Sequence, residues 1–366
     1  MTNPPEQPVR VDVHTGDRPS AIWIGDGIAA RLSELLDAHT VGARRFIVSS
    51  QTIWRIHGPL IQRALGGGEA IVIPDGERYK NLASVSRIYE ALIRANADRG
   101  SALIAVGGGV IGDTAGFAAA TYLRGITLVH VPTTLLAQVD SSVGGKVGVN
   151  HTLGKNLIGA FHQPALVAID PSLLATLPRR EFRSGLYEVV KYGMIASRSL
   201  FDRIAHGTKA IFARDAEVLG PAIVESCRIK ADVVSKDERE GGLRRILNFG
   251  HTVGHALEAV TKYRRFRHGE AIAYGMLAAA DLAVARGALA ERERQSLAQL
   301  IALLGPLPPI GDLHIAEVLE AVRRDKKVVD GKLHFVIAIE IGATMTVDDV
   351  TEDELQAVLV RLGLKR

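Results

Sequence analysis

A single cysteine, Cys227, stands in 366 residues, which excludes an internal disulfide and any zinc site built from cysteines. Aromatic residues make up only 5% of the chain and the net charge is only +4. No Lys/Arg run is interleaved with stacking residues, so no nucleic-acid partner is expected. No apolar run reaches bilayer-spanning length, and the opening MTNPPEQPVR lacks the apolar stretch of a signal peptide. The expectation is a soluble, cytoplasmic protein with no membrane partner. Disorder is excluded as well, since 47% of residues are hydrophobic and 23% charged. There is no internal repeat and no low-complexity tract, and the length suffices for two domains with substantial cores.

From Ala21 to about Ile111, short β-rich runs (AIWIG, RFIVSS, AIVIPDG, ALIAVGGG) alternate with helix-like segments such as Ile28–Ala38 and Asn81–Asn96. That alternation predicts a parallel sheet with crossover helices, a Rossmann-like arrangement. Leu128–Val131 and Ala165–Ile169 read as further strands. After the turn at Asp170-Pro171 and Pro178 the pattern becomes helical: Glu181–Ala196, Ala216–Ser235, Thr252–Val260, Glu270–Arg286, Glu291–Leu304 and Ala316–Arg324. Only Lys332–Ile341 and Met345–Val347 look like strands there. The expected fold is α/β, with a Rossmann-like N-terminal domain at 1–178 and a mostly α-helical C-terminal domain at 179–366.

Gly107-Gly108-Gly109-Val110-Ile111-Gly112 follows the apolar strand Ala102–Val106 and precedes a helix-like run, Thr114–Tyr122. The G-x-G-x-x-G spacing in that setting lets backbone amides approach a phosphate at a helix N-terminus. The bland alternative is a tight turn that packs helix on strand. The stretch Val131–Pro164 is too long and glycine-rich for one helix, and its apolar residues follow neither a helical nor a strand period. Leu135, Leu136, Val139, Val143, Leu157, Ile158 and Phe161 nevertheless offer it a buried frame. It reads as a structured polar loop presenting Thr133, Thr134, Asp140, Lys146, Lys155 and Asn156, and its two lysines suit an anionic ligand.

The segment RRILNFGHTVGHALEAVTKYRRFRHGE (244–270) holds the second chemical cluster. His251 and His255 would share a helix face, with Glu258 beyond them and His268 and Glu270 shortly after. Such a histidine pair is a zinc-chelate spacing, but Thr252 stands where a metalloprotease needs glutamate, so peptide hydrolysis is not expected. Histidines on a surface helix without metal remain the plain alternative. In GLYEVVKYGMI, Glu188 and Lys191 are helix-face neighbours in apolar surroundings, either an ordinary ion pair or a carboxylate that meets a metal.

Taken together, GGGVIGDTAGFAAATYLRG, VPTTLLAQVDSSVGGKVGVN, GKNLIGAFHQP, EVVK, LNFGHTVGHALE and RHGE occur in the order found in the 3-dehydroquinate synthase family, which the chain resembles from about Asp75 to Lys327. The resemblance implies a lyase of the shikimate pathway and aromatic amino acid biosynthesis. It would convert 3-deoxy-D-arabino-heptulosonate 7-phosphate, a small sugar-acid phosphate, to 3-dehydroquinate and phosphate. NAD acts catalytically in that family beside a divalent metal, Zn2+ or Co2+.

The resemblance also assigns residues. Glu188, His251 and His268 would hold the metal, with His255 left to the substrate. NAD would lie along Asp75, Gly76, Glu77, Arg78, Tyr79 and Lys80. It would continue along Gly109, Val110, Ile111, Gly112 and Asp113, then Thr133, Thr134, Lys146 and Lys155, and finally Leu173, Leu174, Ala175 and Thr176. Substrate would meet Asp140, Lys146, Asn156, Lys191, Lys230, Arg244, Asn248, His255 and either Lys326 or Lys327. Arg124 matches an arginine that reaches a neighbouring subunit's substrate phosphate, which implies a homodimer. The chain departs from the family pattern at Ser49-Ser50, near the expected adenosine ribose, and at Val147 and Tyr187. Rival readings are another sugar-phosphate cyclase, a metal-dependent polyol dehydrogenase that would release NADH, and a non-catalytic nucleotide-binding regulator.

Overall fold

A computed structural model describes residues 7–16, 19–326 and 334–366. Two compact units emerge: Met1–Pro178 with Leu219–Ser235, and Arg179–Val218 with Lys236–Arg366. Among the described residues no helix is long and apolar enough to cross a membrane.

The first unit is built on a seven-stranded sheet. In chain order its strands are β1 (Val9–Val13), β2 (Ser20–Ile24), β3 (Arg45–Ser50), β4 (Ala70–Ile73), β5 (Ala102–Gly107), β6 (Thr127–Pro132) and β9 (Leu166–Ile169). Their spatial order is β1-β2-β9-β6-β5-β3-β4. All pairs are parallel except β1 with β2. Every residue of β5 and β9 is buried, as expected of parallel strands covered on both faces, and hence their unbroken apolar runs. The order reverses between β3, which leads outward to β4, and β5, which leads the other way to β6. Ligands of open α/β sheets bind at the carboxyl ends of strands at such a reversal. Here those ends carry Ser49-Ser50, the Asp75–Lys80 segment and the glycine-rich turn.

The stretch 131–164 differs from the expected loop. A π-helical turn, Ala137–Ser141, leads into an antiparallel hairpin of β7 (Lys146–His151) and β8 (Gly154–Phe161). The helix Gly109–Thr121 explains why. It buries residues all round, including Ile111, Ala115, Phe117, Ala118 and Ala119, so it needs cover on the face turned from the sheet. The hairpin supplies it with Val147 and Val149. Gly116 permits the approach, because a Cβ there would lie 2.4 Å from Val147 Cγ1. Val147 thus fills a packed position.

The helix Ala216–Lys236 lies in the helical half of the sequence, yet most of it belongs by contact to the first unit. Cys227 Sγ lies 3.4 Å from the Gln138 carbonyl, and burial pushes the Cys227 thiol up to about 12.

His130, on β6, is 5% exposed. Burial and the nearby His162 lower its pKa from 6.5 to about 4. The unfolded chain therefore binds a proton that the folded chain refuses between those two values. This contribution to stability is complete above pH 6.5 and is lost as pH falls toward 4, at up to about 1.4 kcal/mol per pH unit. His130→Leu should flatten that part of the stability–pH curve in urea titrations. Parallel curves for the two proteins would contradict the assignment.

The second unit gathers the helices Arg179–Ala196, Arg198–Phe212, His251–Val260, His268–Ala285, Glu291–Leu304, Ile315–Lys326 and Glu352–Arg361. Strands β10 (Phe335–Glu340) and β11 (Ala343–Val347) form an antiparallel pair within it. The helix Arg179–Ala196 is buried continuously from Ser184 to Ile195, Tyr187 included, whose hydroxyl is 3.4 Å from the Gly305 carbonyl.

Candidate active site

Three helices of the second unit bring one ligand each to a common point. Glu188 comes from the middle of Arg179–Ala196, His251 opens His251–Val260, and His268 opens His268–Ala285. The Nε2 atoms of His251 and His268 lie 3.8 and 3.7 Å from Glu188 Oε1. Those gaps are too long for hydrogen bonds but suit atoms that share an ion about 2 Å from each. Glu188 is fully buried. Among the described residues neither of its oxygens accepts a hydrogen bond, although the Lys191 ammonium forms an ion pair with Oε2. A buried carboxylate left in this state is costly, and a cation between it and two imidazole lone pairs relieves the cost. The donor set fits zinc or a similar divalent metal, and three protein ligands leave coordination positions open for chemistry.

The other nitrogens are occupied as a metal site requires. His251 Nδ1 lies 3.2 Å from the Phe249 carbonyl, and His268 Nδ1 lies 3.3 Å from Glu258 Oε2. His255 is exposed on the same helix, its ring centroid 5.2 Å from that of His251. The spacing of His251 and His255 suggested a chelating pair. The structure instead joins His251 to Glu188 and His268. Glu270 has a different duty. It accepts from Arg180 Nε at 2.8 Å, Arg183 Nη2 at 3.1 Å and the Arg267 amide at 2.8 Å. Burial opposes its charge, and these bonds outweigh burial and lower its pKa.

Further along, Arg244 is 3% exposed and donates to the Glu238 carbonyl. Asp237 accepts from the amides of Gly241, Gly242 and Arg244, pinning the turn that presents Arg244. Asn248 Nδ2 donates to Glu240 Oε1 at 2.6 Å. Asp237 and Glu240 were not singled out in the sequence, and Glu258 was noted there only for its place after the histidine pair. No short-range motif marks Asp237 in the sequence, because the amides it accepts from lie four, five and seven residues on. Lys327 lies outside the described residues, and Lys326 is described only as the end of its helix.

In the first unit the glycine-rich turn runs from β5 into the helix Gly109–Thr121, whose N-cap, Gly108, offers no capping side chain. The first-turn amides of Gly109, Val110 and Ile111 are thus left to a ligand or solvent. Among the described residues Thr133 Oγ1 is buried without a hydrogen-bond partner, and Thr134 Oγ1 accepts from the Ala137 amide. Lys80, 5% exposed, reaches Asp113 Oδ2 at 2.5 Å and Asn156 Oδ1 at 2.6 Å. Burial works against its charge, but the carboxylates of Asp113 and Glu77 outweigh this and raise its pKa. Glu77 accepts from Asn150 Nδ2 at 2.8 Å and lies 3.6 Å from Lys155 Nζ. The hairpin therefore delivers Lys155 and Asn156 to the residues that follow β4.

Lys230 donates to the Asp140 carbonyl at 2.8 Å and to Oδ1 at 2.5 Å, uniting two expected substrate residues. Lys146 is exposed at the start of β7. Leu173 and Leu174 are buried, while Ala175 and Thr176 are exposed, with Thr176 Oγ1 3.2 Å from His57 Nε2. Arg124 sits exposed in a left-handed turn at φ +68. The Ser49 hydroxyl donates to the Val106 carbonyl and the Ser50 hydroxyl caps the helix Gln51–Leu65, so both serve the fold.

A sheet with a nucleotide-type turn at its reversal, and a two-histidine, one-carboxylate centre in the same chain, define a class of NAD- and metal-dependent enzymes. Comparison with known proteins narrows the class. The family model described as 3-dehydroquinate synthase N-terminal matches residues 70–184, and that of the C-terminal region matches 185–328. A 3-dehydroquinate synthase of Pelotomaculum thermopropionicum is 47% identical over 350 residues, covering 94% of each chain. The chain belongs to the 3-dehydroquinate synthase family. Among solved structures, 2-epi-5-epi-valiolone synthase of Streptomyces hygroscopicus, with NAD+ and Zn2+ bound, superposes with TM-score 0.86 at 28% identity, covering 97% of this chain and 99% of that one. A 2-deoxy-scyllo-inosose synthase with carbaglucose-6-phosphate, NAD+ and Co2+ gives 0.84 at 26% identity, covering 96% and 99%.

Proposed function

We propose that this chain converts 3-deoxy-D-arabino-heptulosonate 7-phosphate to 3-dehydroquinate and phosphate, as a lyase of aromatic amino acid biosynthesis. The observation that carries the reading is the 47% identity, along 94% of each chain, to a 3-dehydroquinate synthase. The retained Glu188, His251 and His268 speak against a regulator that has lost its chemistry.

Glu188, His251 and His268 would hold zinc or cobalt. A bound ion would supply polarisation of substrate hydroxyls and bound NAD a reversible hydride acceptor, so nothing would be oxidised overall. Lys191, beside the metal ligands, offers an ammonium to an anionic oxygen of the substrate. Arg244, held by the pinned turn, offers a planar two-pronged donor to carboxylate or phosphate. Asn248 adds an amide donor. His255 can hold or release a proton at an imidazole nitrogen. In the other unit Lys230 fixes Asp140 from two sides, and Lys80 fixes Asn156. The amides of Gly109–Ile111, with Thr133, Lys146 and Lys155, would serve the NAD pyrophosphate and ribose. Division into a nucleotide-binding part at 1–178 and a metal- and substrate-binding part at 179–366 follows this reading, with the helix of Lys230 contributed to the first. A cytoplasmic homodimer is part of the same proposal, in which the exposed Arg124 serves the second copy.

The test is phosphate release from the seven-carbon acid phosphate with catalytic NAD. Release should stop when a chelator is added and resume with zinc or cobalt, and no NADH should accumulate. Accumulating NADH would point to a polyol dehydrogenase. A second reading, a valiolone-type cyclase, draws on the structural likeness at 28% identity. Faster cyclisation of sedoheptulose 7-phosphate in direct competition would favour it.

A further inference from the structure

His268 has a carboxylate on each side. Its Nε2 lies 3.7 Å from Glu188 Oε1 and its Nδ1 lies 3.3 Å from Glu258 Oε2. Glu258 is 5% exposed. It follows His251 by two turns on the helix His251–Val260, so both residues share one helix face. A neutral imidazole carries one N–H and one lone pair, and the partner of one nitrogen decides which tautomer forms. A buried carboxylate at Nδ1 draws the proton there and leaves the Nε2 lone pair facing Glu188 and His251. His251 Nδ1, by comparison, meets a neutral backbone carbonyl, that of Phe249, at 3.2 Å.

We propose that Glu258 is a positioning residue that sets the tautomer and ring orientation of His268 and makes it the stronger of the two histidine ligands. This rests on the metal centre assigned above. The carboxylate contributes charge as well as an acceptor, polarising the ring so that Nε2 donates more strongly than a carbonyl partner would allow. The same residues define a competing arrangement. Ligand atoms of His255, Glu258 and His268 also fall within 4.8 Å of one another. The His268 nitrogen that meets Glu258 is Nδ1, and an ion held between that nitrogen and Glu258 would need its lone pair, which is incompatible with an N–H donated to Glu258. The proposal therefore requires one ion per chain.

The test uses the full chain, stripped of metal and titrated with zinc against a chromophoric chelator, as wild type, Glu258→Gln and Glu258→Leu. Imidazole nitrogen shifts in the metal-free proteins read the tautomer of His268 directly. Glutamine keeps an acceptor oxygen and loses the charge; leucine loses both. Zinc affinity should fall in the order wild type, Gln, Leu, with the last weakened about 10–100-fold. The Nδ1–H tautomer should persist in the glutamine variant and give way in the leucine variant. If the leucine variant does not fold, the glutamine variant decides by its affinity alone. Unchanged zinc affinity in the variants, or two zinc ions per wild-type chain, would overturn the role of Glu258. A wild type that binds no zinc would instead overturn the metal centre itself.

Discussion

His251→Ala is expected to strip the bound metal and to lower turnover by on the order of a thousandfold or more, about 4 kcal/mol of transition-state stabilisation. In the proposed three-ligand set there is no spare donor. Once the imidazole is gone, Glu188 and His268 are left to hold the ion alone. The fold should survive, because Lys191 still balances the buried Glu188 carboxylate and the truncated ring is partly exposed. Metal content of the purified protein and phosphate release should therefore fall together while the melting temperature moves by only a few degrees. Full metal content with near-normal turnover would remove His251 from the ligand set. His255→Ala is the control: it should retain the ion and slow the reaction.

The second large effect is structural. Gly275→Ala should destabilise the chain by about 3 kcal/mol or more and reduce metal binding with it. A Cβ at Gly275 would sit 1.7 Å from the Gly250 carbonyl oxygen and 2.7 Å from its carbon. These are backbone atoms, so no side chain can swing aside. Gly250 is itself at φ +79, where it precedes His251, and a Cβ on it would lie 2.8 Å from the Met276 amide. The two glycines thus let the helix of His251 and the helix of His268 meet backbone to backbone. Forcing them apart moves both histidines at once. The denaturation midpoint of Gly275→Ala, compared with that of Gly220→Ala in open space, measures the effect. Equal midpoints would show that the helices can separate without cost.

The parallel sheet was legible because strands buried on both faces must be apolar throughout, and Ala102–Val106 and Ala165–Ile169 carry that signature. The hairpin Lys146–Phe161 was not. Its inward residues, Val147 and Val149, alternate correctly, but glycines at 148, 154 and 159 dilute the period below recognition, and its partner is a helix rather than the sheet. The helix Gln51–Leu65 holds Pro59, which weakens any helical reading, and the helix Arg198–Phe212 was likewise not singled out. In the metal centre, chemistry was readable and grouping was not. Residue spacing reports neighbours one turn apart, and so favoured His251 with His255. The set Glu188, His251 and His268 draws on three separate helices, and only the resemblance to a family named it. Glu258 was noticed for its position in the histidine segment, but its duty depends on which nitrogen of His268 it meets. That is a property of the packed structure.

The helix around Lys230 gives the chain an order of assembly. A ribosome delivers residues 1–178 first, and with them the whole seven-stranded sheet. Asp140 and the Gln138 carbonyl must then wait for Lys230 and Cys227, which arrive after two helices of the other unit. At 5–20 residues per second that delay is roughly 3–10 s, long compared with hairpin or helix formation. The nascent first unit therefore spends seconds as an open-sided intermediate. A fragment ending at Pro178 would carry every strand of the sheet and still be an unfinished body.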